Sequence, residues 1–104
     1  MINQNLIKRK IVDDLKPLNP KKIIVFGSFS TGKFVEGESD IDLLIIKESK
    51  LKLADRYSQA RLSLSLKLPF DIFTLTEKEL KEKLAQSFFF REIVKQGEVI
   101  YEQK

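Results

Sequence analysis

Cysteine and histidine are both missing from this 104-residue chain. Without cysteine there is no disulfide, no thiolate nucleophile and no sulfur ligand. Without histidine the commonest zinc ligand and the commonest general base are gone. Any metal here must be held through oxygen, which selects Mg²⁺ or Mn²⁺. Long apolar runs are absent as well. No stretch reaches the roughly 20 residues that a membrane helix needs, and the start Met1-Ile2-Asn3-Gln4 lacks the apolar core of a signal peptide. The expectation is a cytoplasmic protein without membrane contact. There is no repeat, linker or low-complexity segment, so residues 1–104 are expected to form a single domain with one modest core.

What is present suits a folded domain: 42% hydrophobic and 33% charged residues, with a formal net charge of +4. That balance is compatible with a polyanionic substrate such as a nucleotide. The Lys and Arg residues are dispersed rather than clustered, so direct binding of nucleic acid is not expected.

The informative stretch runs from residue 23 to 46. The β-branched run Ile23-Ile24-Val25-Phe26 stops at Gly27-Ser28, and after a loop comes Ser39-Asp40-Ile41-Asp42-Leu43-Leu44-Ile45-Ile46. Successive strand side chains point to opposite faces, so Asp40 and Asp42 share one face while Ile41 and Leu43 take the other. Two like charges on one face repel each other, which calls for a cation between them. Glycine at the corner lets a phosphate approach the backbone, and Ser28 adds amide and hydroxyl donors.

In chain order, Leu6, Ile7, Ile11 and Leu15 predict an amphipathic helix over 4–16, ended by Pro17 and Asn19-Pro20. The Lys8-Arg9-Lys10 run reads as its solvated face. A buried strand follows over 22–26, then a short helical turn containing Ser30, Thr31 and Gly32, then a second strand over 41–47. Residues 50–68 carry two patterns. Leu53, Tyr57, Ala60 and Leu64 are spaced as a helix, whereas Leu62, Leu64, Leu66 and Leu68 alternate as a strand would. A helix to about residue 65 is the expectation, because Leu68-Pro69 offers no hairpin turn. Pro69 opens a third strand, 70–75, with Asp71 near its start. Thr76-Glu77-Lys78-Glu79 reads as a capping box. Phe88, Phe89, Phe90, Ile93 and Val94 mark a further helix ended by Gly97 as its C′ residue. Three consecutive Phe cannot all face one core, which leaves aromatic surface for a partner. Residues 98–101 form a last strand.

Three strand carboxylates beside a Gly-Ser corner point to phosphoryl chemistry with a nucleoside triphosphate. Asp40 and Asp42 would hold Mg²⁺, Gly27 and Ser28 would seat the β and γ phosphates, and Asp71 would ligate a second ion and help deprotonate the attacking hydroxyl. The competing reading makes these aspartates ordinary turn residues.

The run Phe26-Gly27-Ser28, the eleven-residue loop 29–39, and Ser39-Asp40-Ile41-Asp42-Leu43 resemble the signature of the polymerase-β nucleotidyltransferase superfamily. The size of the chain and its Gly97-Glu98-Val99-Ile100-Tyr101 ending are similar to the minimal nucleotidyltransferase branch. The resemblance implies an α/β (α+β) fold, a small mixed β-sheet flanked by helices, with Asp71 completing a catalytic, metal-binding triad with Asp40 and Asp42. It further implies two Mg²⁺ ions and ATP as co-substrate. Relatives often carry Arg in the loop after Gly-Ser; this chain has Phe29 and Thr31 there, and Lys33 is the nearest cation. Many proteins of this branch are antitoxins paired with a helical HEPN ribonuclease. The implied activity is transfer of AMP from ATP to a tyrosine of that toxin. The alternatives are a non-catalytic antitoxin that occludes its toxin, and transfer to a small molecule such as an aminoglycoside.

Overall fold

The computed structural model describes residues 3–104; Met1 and Ile2, counted in the expected domain, lie outside the described residues. Helix α1 (Gln4–Leu15) starts at Asn3, whose side chain accepts from the amides of Asn5 and Leu6, and gives way to a 3₁₀ turn over Lys16–Leu18. Then come β1 (Lys22–Phe26), the single turn α2 (Ser28–Thr31), β2 (Ile41–Ile46), α3 (Leu53–Ser63), β3 (Phe70–Leu75), α4 (Glu77–Gln86), α5 (Phe88–Gln96) and β4 (Glu98–Glu102). The strands form one mixed sheet in the order β3-β2-β1-β4. The pair β1/β2 is antiparallel, β1/β4 is antiparallel with an irregularity between Ile23 and Ile24, and β2/β3 is parallel. A parallel pair needs a crossover, and α3 supplies it.

Strand alternation sends the sheet into two cores. Ile23, Val25, Ile41, Leu43, Ile45 and Ile72 pack against Ile7, Ile11 and Leu15 of α1 and Ala60 of α3. Ile24, Phe26, Leu44, Ile46 and Leu75 pack against Phe90 and Ile93 of α5, with Leu80 and Leu84 of α4 beside them. Near-continuous apolar runs in β1 and β2 follow from this, since both faces are covered. The expected fold, a small mixed sheet flanked by helices, is the one observed.

Several local expectations need correction. Leu6, expected on the apolar stripe of α1, is exposed, and so are Leu53 and Tyr57 of α3. Helix α3 ends at Ser63, and Leu64, Leu66 and Leu68 then pack on the first core from an irregular connection that bends at Leu66 and Leu68. The expected helix is present and ends two residues early, and the Leu62–Leu68 alternation corresponds to no strand. Ser65 pins the connection to α1 by donating from its amide and hydroxyl to Asp14, at 2.9 and 2.8 Å. The capping box is present: Thr76 Oγ1 accepts from the Glu79 amide, and Glu79 accepts from the Thr76 amide. Gly97 is not left-handed, with φ −70° and ψ 160°. Its lack of a side chain matters for packing instead, since a β-carbon there would lie 2.5 Å from the Ile93 carbonyl oxygen and 2.6 Å from Ile24 Cγ2.

Candidate active site

The pairing of β2 with β3 brings together what the chain keeps thirty residues apart. Asp42 is the direct register partner of Asp71 across the parallel ladder, and of Phe26 across the antiparallel one. Neighbouring strands lie about 4.8 Å apart, so Asp42 and Asp71 are adjacent on one face. Asp40 stands two residues before Asp42, just ahead of the strand. The Ile41 amide donates to the Pro69 carbonyl (2.8 Å) and clamps the two strand starts together. All three carboxylates therefore sit at one end of the sheet, on the face that further along meets α5.

Their electrostatics follow from that crowding. Asp42 is half-buried, whereas Asp40 and Asp71 are exposed. Partial burial, the charge of Asp71 and the charge of Asp40 together push the Asp42 carboxyl up to about 6. An ionised carboxylate held in such a place is short of a counter-charge. The donor set is all oxygen, which suits Mg²⁺. Among the described residues no three acidic side chains converge as a ready-made ion cage.

The Gly27-Ser28 corner closes the site from β1. Gly27 has φ 70° and ψ −148°, a region open essentially to glycine. Its carbonyl accepts from the amides of Ser30 and Thr31 (both 3.2 Å) and from the Ser30 hydroxyl (3.1 Å), which winds α2. A β-carbon at Gly27 would fall on Oδ2 of Asp42, with Asp42 Cγ at 3.2 Å. The glycine thus makes room for the Asp42 carboxylate, a role that spacing alone does not reveal because it depends on β1/β2 register. Phe29 is buried edge-on against Phe34 (5.1 Å) and anchors the turn to the first core, so it is not turned toward a ligand. Thr31 directs its hydroxyl to the Ser28 carbonyl (3.4 Å). Lys33 is exposed just beyond the left-handed Gly32, with its amide tied to the Ser28 carbonyl (3.0 Å).

Sequence reasoning missed the aromatic surround. Phe26 lies opposite Asp42, and Phe73 follows Asp71 by two positions on the same face. Their ring centroids are 6.0 Å apart, and Phe89 of α5 meets both edge-on, at 6.2 and 6.0 Å. The Phe88-Phe89-Phe90 run splits three ways: Phe90 is buried, Phe89 leans on the sheet aromatics while half-exposed, and Phe88 faces solvent.

The geometry agrees with what the chain is similar to. The Nucleotidyltransferase domain family matches residues 8–99. The candidate protein adenylyltransferase MJ0604 of Methanocaldococcus jannaschii is 37% identical over 82 residues, 78% of each chain. A crystal structure of a toxin–antitoxin with AMP-PNP superposes at TM-score 0.66 and 25% identity, covering 99% of this chain and 76% of that one. A candidate nucleotidyltransferase from Sulfolobus solfataricus superposes at TM-score 0.63 and 19% identity, covering 96% and 80%. A mutant MntA–HpeT toxin–antitoxin superposes at 0.59 and 20% identity, covering 99% and 75%.

Proposed function

The chain belongs to the nucleotidyltransferase domain family, and from that premise we propose that it transfers AMP from ATP to a tyrosine hydroxyl of a helical HEPN ribonuclease, as the antitoxin of a cytoplasmic pair. The observation that carries this reading is the register pairing of Asp42 with Asp71 beside a glycine corner that must stay free of side chain. Similarity to the candidate protein adenylyltransferase of Methanocaldococcus jannaschii and to a toxin–antitoxin bound to AMP-PNP supports a protein acceptor.

The residues divide the work. Asp40 and Asp42 would hold the metal, with Asp71 completing the set. Mg²⁺, when bound, neutralises charge on the phosphates and on the attacking and leaving oxygens. Gly27 admits the triphosphate close to the backbone. The first turn of α2 leaves the amides of Ser28 and Phe29 without intrahelical partners, so they and the Ser28 hydroxyl can donate to phosphate oxygens. Lys33 would be the loop cation that joins them. The acceptor oxygen attacks the α-phosphorus in line, the bond to the bridging oxygen breaks, and pyrophosphate leaves. A phenol has a pKa of about 10, so the Asp71 carboxylate, exposed at the sheet edge, is the group positioned to take its proton.

The test is co-expression with the helical partner and mass spectrometry of that partner. AMP-sized addition with the wild-type chain and none with Asp71→Asn, while ATP binding persists, is the expected result. Addition that survives Asp71→Asn would remove Asp71 from the mechanism. Toxin neutralisation that survives Asp42→Ala would favour simple occlusion, and modification of an aminoglycoside instead of protein would favour the small-molecule acceptor.

A further inference from the structure

We propose that the half-exposed ring of Phe89 is the stacking plate for the base of the bound nucleotide. The inference rests on the nucleotidyltransferase reading and goes beyond the triphosphate contacts to the nucleoside end. A nucleotide whose α-phosphate lies among Asp40, Asp42 and Asp71 must place its base on nearby protein or leave it in water. The carboxylates point to the face of the sheet that α5 covers, where Leu44 follows Asp42 along β2 and aromatic side chains flank it on β1 and β3. Phe26 pairs with Asp42, Phe73 stands two residues beyond Asp71, and Phe89 rests edge-on against both.

Phe89 differs from its companions in what it leaves open. Phe26 and Phe90 are 8% and 9% exposed, whereas Phe89 is 52% exposed. Its ring is nevertheless held, with neighbours at 6.2, 6.0 and 5.3 Å. It also shares the wall of one cavity with Phe26 and Gly27, which puts it beside the glycine corner. A fixed aromatic ring with open surface beside a phosphate corner suits a flat heteroaromatic ring, because base–aromatic stacking needs a π face and little else. Stacking is tolerant of base identity, so Phe89 would supply affinity for the nucleoside rather than choose adenine.

The test separates the base from the phosphates. ATP and inorganic tripolyphosphate, each with Mg²⁺, are titrated calorimetrically into the full-length wild-type, Phe89→Ala, Phe89→Leu and Phe89→Tyr chains. Phe89→Ala and Phe89→Leu should each weaken ATP about 10-fold, in keeping with stacking measured elsewhere by alanine substitution. Both should leave tripolyphosphate within about twofold, and Phe89→Tyr should restore ATP. Full ATP affinity in Phe89→Leu would show that volume rather than the ring face matters and would overturn the assignment. Equal weakening of both ligands would make Phe89 a structural residue and overturn it as well. A wild-type chain that binds tripolyphosphate as tightly as ATP would sink the base seat alone, and one that binds neither would sink the nucleotidyltransferase reading with it.

Discussion

Replacing Gly27 by Ala should damage this protein twice, and the two injuries can be measured apart. The first is local: φ 70° with ψ −148° is a conformation that an L side chain enters at a cost of about 1–3 kcal/mol. The second is tertiary, because the new methyl group overlaps Oδ2 of Asp42 and crowds Cγ at 3.2 Å, while Cβ at 3.7 Å is an ordinary contact. Asp42→Ala deletes the two crowded atoms and keeps the tolerated one. Gly27→Ala should therefore cost more in the wild-type background than in Asp42→Ala, by a coupling energy of about 0.5–3 kcal/mol. For a domain of this size each kcal/mol lowers the melting temperature by about 4–8 °C, so the single variant should melt on the order of 10 °C lower. Urea denaturation of the four chains of the cycle gives the coupling directly. Equal costs in the two backgrounds would refute the claim that Gly27 keeps room for the carboxylate. If Asp42 holds the metal as proposed, transfer activity should also fall steeply in Gly27→Ala, because the carboxylate is displaced.

Further outcomes follow from the same physics. The raised Asp42 carboxyl is penalised while ionised in the fold, so its contribution to stability should rise as pH falls from above about 6 toward its ordinary carboxylate value; Asp42→Asn should stabilise the ligand-free chain at pH 7.5 and flatten that limb in pH-dependent melts. The opposite limb lies lower. Burial would raise Asp14, but the Ser65 amide and hydroxyl and Lys10 outweigh it, and Glu79 is lowered by Arg56 and the Thr76 amide, so their stabilisation should be lost only as pH falls below the ordinary carboxylate values. Mg²⁺ with ATP should raise the melting temperature more than ATP alone, and more at pH 7.5 than at 5.5, where protons compete for Asp42; an unchanged melt at millimolar Mg²⁺-ATP would count against a nucleotide site. Thr76→Ala removes the capping-box acceptor and should cost about 1 kcal/mol without altering ATP affinity, checked by denaturation and calorimetry.

Much of the backbone around the candidate site was legible because its signals are local. The apolar run ending at Gly27-Ser28, the two-residue spacing of Asp40 and Asp42, and Asp71 at the start of a third apolar run all report on backbone geometry within a few residues. For that reason strands 22–26 and 70–75 and the Thr76 cap could be placed from the chain alone. Periodicity could say that Asp40 and Asp42 share a face. It could not say which strand would lie beside them, since neighbours in a sheet are chosen by how two faces bury against separate helices. Tertiary structure decided the Asp42–Asp71 pairing, the conflict between a Gly27 β-carbon and Asp42, the packing of Leu64, Leu66 and Leu68 on the first core, and the division of the three Phe among core, wall and solvent. Those are contacts between residues distant in sequence, set by strand register and helix packing. A one-residue change of register would turn each of these side chains to the opposite face without altering a single local pattern.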